Sequence, residues 1–464
     1  MYDLAVIGGG PGGYVAAIRG VHKGLKVLLV EKDTLGGTCL NRGCIPTKCY
    51  IYDTKLLEAV KHSQVLTGAE SLSIHLDRMV ARKRKVVAGL VGGVEAILKS
   101  HAVDIVPGLG ELIAPGRIRV AGTGGGAREV EARNVILATG SRPAILPFIK
   151  VDGDLVQTTD EALDSEAVPD EVVIIGGGVI GVEMATIYLN LGRQVTLLEL
   201  LPDILITEDK EIRGAMRRLL EQRGAKIHCN VKAKEVSTKG DGVGILYEDN
   251  TGKVESVSAG RLLVAMGRAP VLEGIDTKGL GLKREGPFIK VNSRLETGLP
   301  GIYAIGDLVG GMMLAHKASA EAEVAVDNMV GEKREFKPQW VPRCIWGPTE
   351  IAAVGLTEEE AMATKRPVKI GKFSYTNNGA AQAMGGMNGF VKIVGDAETG
   401  EILGVHIMGE HATDLIGESV TAMTMESAVE DFAAAIKPHP TLSETVMEAA
   451  LDWSDLVIHA PKKG

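Results

Sequence analysis

Two cysteines and one histidine offer most of the reactive chemistry in this sequence. Cys39 and Cys44 stand in the stretch Gly37-Thr38-Cys39-Leu40-Asn41-Arg42-Gly43-Cys44-Ile45-Pro46-Thr47-Lys48. A thiol titrates near ~8.5, and a helix N-terminus or a neighbouring cation lowers that value and makes the reactive thiolate available. Gly37-Thr38 before the pair and Pro46 after it predict the entry to a helix, with Lys48 one turn beyond Cys44. The spacing is wrong for a zinc knuckle, and no second Cys pair or His cluster completes four ligands, so no metal is expected. A close pair in a reducing compartment is more often catalytic or metal-bound than structural. Two buried, reduced cysteines are the bland alternative. Cys49 reads as a core cysteine, and Cys229 and Cys344 have no partner at useful spacing.

The histidine lies in Lys437-Pro438-His439-Pro440-Thr441-Leu442-Ser443-Glu444. Prolines on both sides restrict its backbone. Glu444, one helical turn beyond, is the right type of residue to orient the ring and make His439 a general base. Beside a redox-active Cys pair such a His–carboxylate unit is the natural proton shuttle.

The elements that must position these groups announce themselves as a repeat. Leu4-Ala5-Val6-Ile7 runs into Gly8-Gly9-Gly10-Pro11-Gly12-Gly13, a helical stretch, then Val27-Leu28-Leu29-Val30-Glu31. Val172-Val173-Ile174-Ile175 runs into Gly176-Gly177-Gly178-Val179-Ile180-Gly181, a helical stretch, then Val195-Thr196-Leu197-Leu198-Glu199. In both copies the acid falls 23 residues after the first glycine. Unbroken apolar runs of this kind suit buried parallel strands. A strand, a GxGxxG turn opening a helix, and an acid at that distance form the dinucleotide-binding pattern. One glycine makes the turn, one lets backbone approach a pyrophosphate, and one lets helix pack on strand. The phosphates sit at the helix N-terminus, and Glu31 and Glu199 accept from ribose hydroxyls. Glu199 favours NAD over NADP, because its carboxylate repels a 2′-phosphate and Leu200-Leu201-Pro202-Asp203 supplies no Arg to hold one.

Three further strands end in small residues and Gly: Ile136-Leu137-Ala138-Thr139-Gly140, Val264-Ala265-Met266-Gly267 and Ala304-Ile305-Gly306-Asp307. These ends allow a ligand close approach, and Asp307 is placed to accept from a ribityl hydroxyl. A Gly-rich hairpin tip is expected at 122–127, and linkers around 142–169 and 332–342. Beyond Pro342 the segments 390–394 and 402–407 alternate like antiparallel strands about the turn Glu398-Thr399-Gly400, and helical patterns cover 413–425 and 441–459. The fold expected is α/β, with two Rossmann-like dinucleotide-binding domains and a C-terminal α+β domain.

Composition narrows the remaining classes. Gly makes up 59 of 464 residues, close to twice the usual share, and clusters rather than repeating every third residue as in a fibrous protein. Lys and Arg number 51 against 59 Asp and Glu, a net charge of −8, which argues against a nucleic-acid binder. The run Arg82-Lys83-Arg84-Lys85 reads as a solvated helix face. No stretch is apolar enough to span a bilayer, so no membrane attachment is expected. Five cysteines do not make a disulfide scaffold, and Met1-Tyr2-Asp3 leads straight into the first strand without a basic leader. A cytoplasmic location is therefore expected.

Taken in order, the first Gly motif, Cys39-x4-Cys44, the second GxGxxG, Ala304-Ile305-Gly306-Asp307 and His439-Pro440-Thr441-x-x-Glu444 resemble the flavoprotein disulfide reductases over essentially the whole chain. The segments Gly37–Pro46 and His439–Glu444 are most similar to the members of that family that oxidise dihydrolipoyl groups. The resemblance implies an FAD domain over 1–143, an NAD domain over 144–264, a central domain over 265–338 that completes the FAD site, and a dimerisation domain over 339–464. FAD would be held by Gly8, Gly10, Gly13, Glu31, Thr38, Lys48, Gly110, Thr139, Gly140, Asp307 and Ala315. NAD would be held by Gly176, Gly178, Gly181 and Glu199, with Val231 and Gly267 nearby. Cys44 would face the flavin and Cys39 would exchange with substrate. His439 and Glu444 would move the proton, and Glu183 would pair with Lys48. The implied assembly is a homodimer serving a lipoyl-bearing protein of a 2-oxo acid dehydrogenase complex or the glycine cleavage system. A related flavin-dependent disulfide or mercuric reductase, or a non-catalytic electron-transfer subunit, are the competing implications. The chain departs from the common family pattern at Arg42, Trp346-Gly347, Ala380 and Pro438.

Overall fold

The computed structural model describes residues 1–122 and 125–461. Thr123 and Gly124, in the expected hairpin tip, lie outside the described residues. The chain divides into two compact units, Met1–Val168 with Leu263–Lys337 and Pro169–Leu262 with Pro338–Gly464.

In the first unit Tyr2–Ile7 pairs in parallel with Val27–Glu31 on one side and Ala127–Leu137 on the other. Asp104–Pro107 and Ile302–Ala304 extend the parallel sheet outward. Leu4 to Ile7 and Val27 to Val30 are at most 3% exposed. Both faces are covered, so the sequence shows continuous apolar runs and no alternation. Ala127–Leu137 is long enough to pair antiparallel with Arg117–Ala121 before it enters the parallel sheet. The helix Pro11–His22 buries Gly12, Gly13, Ala16, Ala17 and Gly20. That small-residue face lets it lie close against the helix Ala315–Met329.

The basic run lies in the helix Leu76–Ser100, but it is not uniformly solvated. Lys83 is buried and paired with Asp164, which Arg84 also meets at 3.2 Å. A buried ammonium is tolerable only with such a partner.

In the second unit Glu171–Ile175, Gln194–Leu198 and Lys226–His228 form parallel pairs. Lys232–Lys239, Gly242–Glu248 and Val254–Ala259 form an antiparallel three-stranded sheet. After Pro342 comes an antiparallel sheet in the order Arg343–Trp346, Glu350–Gly355, Ile402–Met408, Phe390–Asp396, Val368–Ser374. Its core includes Val391, Ile393, Val405 and Ile407, against Ile416, Val446 and Trp453 of the helices. The pattern expected over 413–425 is the helix Ala412–Thr424. The one over 441–459 is helical only at Glu444–Trp453. There Asp455 adopts φ 61°, and the tail turns back so that Ile458 and His459 donate their N–H groups to Glu448.

The Glu398-Thr399-Gly400 turn has a titratable anchor. The Thr399 N–H, then Arg366 and the Glu398 N–H, hold the Asp396 carboxyl at about 2 against the opposing effect of burial. A carboxyl with a depressed folded value contributes stability above its unfolded value, near ~3.9, and loses it as the pH falls toward the folded value. Asp396→Asn should therefore melt at a lower temperature than the parent at pH 6, and the difference should shrink steadily between pH 4 and 2. A pH-independent difference in melting temperature would rule out titration of Asp396 as the cause.

Among the described residues no helix is long and apolar enough to cross a membrane. None of their His, Cys, Asp and Glu side chains form a group of three or more that could hold a metal ion.

Candidate active site

The two glycine loops are near copies in three dimensions. Gly8 has φ 107° and Gly176 φ 112°, conformations that a residue with a Cβ rarely adopts. A Cβ on Gly13 would lie 1.8 Å from the Gly8 carbonyl oxygen, and one on Gly181 would lie 1.9 Å from that of Gly176. These glycines are required by the fold itself. Gly10 and Gly178 are different. A Cβ on Gly10 would meet nothing nearer than 3.9 Å, and one on Gly178 nothing within 4 Å. Packing does not demand glycine at either place, and the open backbone there is what a pyrophosphate needs.

The helices that follow, Pro11–His22 and Val179–Asn190, have no side-chain cap and no acid in the first turn. Their leading N–H groups thus have no local competitor for an anion. The Glu31 carboxylate is fixed by the N–H groups of Gly9 at 2.6 Å and Asp33 at 2.8 Å. Glu199 is fixed the same way by Gly177 at 2.5 Å and Leu201 at 2.7 Å. Each carboxylate retains acceptor capacity for a ribose hydroxyl. Both loops therefore fit a dinucleotide.

The cysteines are set against the first loop. The Gly36 N–H bonds the Gly9 carbonyl at 2.8 Å, and a Cβ on Gly37 would come within 2.8 Å of the Gly10 Cα. Cys39 sits in the short helix Gly37–Arg42, and Cys44 is the first residue of Cys44–Lys61. Asn41 Nδ2 ties the turn down through the carbonyls of Leu35 at 3.0 Å and Gly37 at 2.9 Å. Thr47 Oγ1 donates to the Gly43 carbonyl at 2.7 Å. Arg42, one of the departures, pairs with Asp33.

Both cysteines are half-buried thiols. Cys39 is held protonated, first by its hydrogen bond to Cys44, then by burial and the charge on Cys44. The Lys48 ammonium acts in the opposite direction.

A polar cluster stands nearby in the same unit. Ser141 Oγ donates to Asp307, and Arg268 donates to Ser141 Oγ at 2.7 Å and to its carbonyl at 2.8 Å. The same guanidinium reaches Thr38 Oγ1 at 3.4 Å. Thr139 Oγ1 donates to the Val271 carbonyl at 2.6 Å, and Gly140 adopts φ 71° with open space where a Cβ would be. Gly110 packs against Ile7, where a Cβ would come within 2.9 Å. Ala315 opens the helix Ala315–Met329, again with neither a side-chain cap nor a first-turn acid. Buried Lys317 and Glu321, 2.7 Å apart, tie that helix to the Gly306-Asp307 turn, where Glu321 takes the Gly306 N–H at 2.7 Å.

In the second unit Val231 donates its N–H to the Glu199 carbonyl at 3.0 Å. Arg213 and Arg217, the arginines near the Glu199 turn, lie 3.6 and 3.7 Å from Asp203. Glu183 is buried and accepts the Trp346 N–H at 3.2 Å. Gly267, which falls in the first unit, has φ 104° and an open Cβ position.

His439 and Glu444 meet as expected from their spacing. Nδ1 of His439 lies 2.9 Å from Glu444 Oε1, and Glu444 Oε2 accepts the Thr441 N–H at 2.8 Å. Burial pushes the Glu444 carboxyl up. The Thr441 N–H, the His439 hydrogen bond and the charges of His439 and His459 outweigh it, leaving the carboxyl below its ordinary value. An ionised Glu444 fixes the ring with Nε2 outward. The His439 side chain is 78% exposed, so that nitrogen is open to a reactant.

Sequence reasoning overlooked Ser141 and Arg268. A signal for them exists in the parallel runs Gly140-Ser141-Arg142-Pro143 and Gly267-Arg268-Ala269-Pro270. These pair as one antiparallel ribbon, with Arg268 opposite Pro143 and Pro270 opposite Ser141.

Two family models match the chain. Residues 2–322 match the pyridine nucleotide-disulphide oxidoreductases, and residues 341–450 match the dimerisation domain of the same group. The chain is 41% identical over 471 residues to a dihydrolipoyl dehydrogenase of Bacillus subtilis, covering 99% of both. It is 39% identical over 453 residues to one of Chlorobaculum tepidum, covering 97% of both. The crystal structure of LpdA from Mycobacterium tuberculosis superposes with a TM-score of 0.90 at 29% identity, covering 97% of this chain and 99% of that one. With strands, loops, thiol pair and terminal sheet all in place, the chain belongs to the pyridine nucleotide-disulphide oxidoreductase family.

Proposed function

We propose that this protein is an FAD-dependent, NAD-linked oxidoreductase that oxidises dihydrolipoyl groups. The groups it serves are carried on a lipoyl-bearing protein of a 2-oxo acid dehydrogenase complex or the glycine cleavage system, in the cytoplasm. The observation that carries the reading is the Cys39–Cys44 pair, set against a dinucleotide loop by the Gly36-to-Gly9 hydrogen bond and the close approach of Gly37 to Gly10. FAD belongs in the first loop with Gly8, Gly10, Gly13, Glu31, Thr38, Lys48, Gly110, Thr139, Gly140, Asp307 and Ala315. Ser141 and Arg268 support Asp307 and Thr38 there. NAD belongs in the second, with Gly176, Gly178, Gly181, Glu199 and Val231.

The sulfur chemistry falls to this chain's own residues. Nε2 of His439 takes the proton of a dihydrolipoyl thiol, and Glu444 steadies the imidazolium. The resulting thiolate attacks Cys39 Sγ in the Cys39–Cys44 disulfide, that S–S bond breaks, and Cys44 leaves as thiolate. The second lipoyl thiol then attacks the substrate sulfur of the mixed disulfide, releasing Cys39, which recovers a proton. The lipoyl dithiol has been oxidised and the protein disulfide reduced by the same two electrons. FAD, when bound, supplies the route by which that pair reaches NAD.

His439 is exposed within its own chain and lies inside the segment that matches a dimerisation domain, so the base is assigned to His439 of the partner subunit in a homodimer. Ile436 is 98% exposed, and Leu456 and Ile458 are 64% and 68% exposed, an apolar rim suited to burial in that interface.

Coenzyme choice tests the second loop. A 2′-phosphate would be placed against the fixed Glu199 carboxylate with both nearby arginines engaged by Asp203. A like-charge contact of that kind costs several kcal/mol, or roughly a hundred-fold or more in kcat/KM. Steady-state assays with dihydrolipoamide should show NAD preferred by at least that factor. Equal use of NADP, or turnover of glutathione disulfide or Hg²⁺ in place of dihydrolipoamide, would move the protein to another branch of the family.

A further inference from the structure

Strand register lays a row of basic side chains across one face of the C-terminal sheet. Arg343 stands opposite Ala353, Ala353 opposite His406, His406 opposite Lys392, and Lys392 opposite Lys372. Directly opposed residues share a face. Against the row lie acids from the turn that follows Glu199. Glu208 accepts Arg343 Nε at 3.0 and 3.3 Å. Asp209 accepts Lys392 Nζ at 3.1 and 3.0 Å. Glu211 lies 3.1 Å from the same ammonium and pairs with Lys372, and Glu358 also pairs with Lys392. Glu208, Asp209, Lys392 and His406 are all 1% exposed or less. His406 donates Nε2–H to the Leu356 carbonyl at 2.8 Å, and burial lowers its pKa, so it sits neutral between two cations.

Buried ion pairs are a poor way to stabilise a core, because well-packed apolar residues often do as well or better. Their use here is to be sought in the turn they hold. Within it Leu205 adopts φ 49°, a left-handed conformation that a side chain makes unfavourable. Such strain persists only where the surroundings fix the backbone on both sides. On one side the Leu205 N–H bonds the Gly177 carbonyl at 2.9 Å, and Gly177 in turn donates to Glu199. On the other the Leu205 carbonyl accepts the Glu208 N–H at 2.8 Å, and Asp209 caps the helix Lys210–Gln222 through the Glu211 N–H at 3.0 Å. Leu200, Leu201 and Ile206 are exposed, so the outer side of the turn adds little packing.

We propose that Arg343 and Lys392, with His406 between them, are positioning residues for the nicotinamide dinucleotide. By anchoring Glu208 and Asp209 they fix Leu205 and, through Gly177, the Glu199 carboxylate that meets the ribose. This rests on the assignment of NAD to the second loop. The terminal sheet thus sets coenzyme affinity from residues that do not belong to the loop.

The test is steady-state kinetics on the flavin-loaded enzyme, varying NAD and dihydrolipoamide separately, for Glu208→Gln, Arg343→Met, Arg343→Lys and Glu199→Ala. Small displacements of a binding group cost from ten- to a hundred-fold. The KM for NAD should therefore rise roughly ten-fold in Glu208→Gln and Arg343→Met, with kcat and the KM for dihydrolipoamide unchanged. Arg343→Lys, which keeps the charge, should recover part of the loss. An unchanged KM for NAD in Glu208→Gln overturns the proposal even if the melting temperature falls, because the row would then serve stability alone. Glu208→Gln is nearly isosteric, so it carries the test if Arg343→Met does not fold. If Glu199→Ala raises the KM for NAD and Glu208→Gln does not, only the positioning role falls. If Glu199→Ala leaves it unchanged, the NAD assignment of the loop falls with it.

Discussion

Replacing Cys39 with Ser should abolish dihydrolipoamide oxidation, with a loss of roughly 10⁵–10⁶-fold, the scale on which removing a covalent nucleophile acts. Serine at that position can still donate a hydrogen bond to Cys44, as the Cys39 thiol does. It cannot form the disulfide that the dihydrolipoyl thiolate attacks. The nucleotide loops are untouched, since Gly8, Gly10 and Gly13 make no use of the Cys39 sulfur. Electron transfer from NADH to a small dye acceptor should therefore continue at a rate near that of the parent. Stopped-flow assays of both activities on one preparation check this. Parallel loss of the two would place Cys39 in flavin binding rather than in exchange with substrate.

The second large effect is expected at His439. General-base catalysis contributes typically 10²–10⁴-fold, and His439→Gln should lower dihydrolipoamide turnover by about that factor while NADH-to-dye transfer survives. The loss should be recovered in part at high pH, where a larger share of the substrate thiol ionises unaided, near ~8.5 and above. Glu444→Gln should cost less, because the amide can keep the Thr441 N–H contact seen at 2.8 Å but no longer opposes the charge on the imidazolium. A His439→Gln enzyme that loses both activities equally would contradict the assignment of His439 to the proton.

The parts of this architecture most legible in the sequence are those where the backbone itself is specialised. Gly8 and Gly176 must take positive φ, Gly13 and Gly181 must admit a carbonyl oxygen below 2 Å from any added Cβ, and no other residue meets those demands. Unbroken runs such as Leu4 to Ile7 signal strands covered on both faces because nothing polar is tolerated there. His439 and Glu444 are close in sequence, so their contact is local and readable.

The remaining features depend on distant side chains. Ser141, Arg268 and Asp307 converge from three strand ends, and no local periodicity records that meeting. Lys83 occurs in a run of four basic residues, and only the position of Asp164 distinguishes its buried ammonium from the neighbouring charges. The helix expected over 441–459 ends at Trp453 because Asp455 turns left-handed and Glu448 captures the returning tail, with His459 Nδ1 2.6 Å from its carboxylate. An amphipathic pattern carries no mark of such a reversal. The row Arg343, His406, Lys392 and Lys372 is likewise visible only once the strands are in register.

The central claim is that the Cys39–Cys44 pair carries two electrons from a dihydrolipoyl dithiol toward NAD. The most direct measurement adds one equivalent of dihydrolipoamide to the oxidised, flavin-loaded protein without oxygen. Half the sample is then alkylated at once, and the other half is alkylated after NAD is supplied, with NADH followed at 340 nm. The first half should carry label on Cys39 and Cys44 beyond that of an untreated control. The second should carry no label on them beyond that control and should have formed close to one NADH per chain. NADH formed while Cys39 and Cys44 remain unlabelled in the first half, or label beyond the control in the second half after NAD is consumed, would contradict the relay.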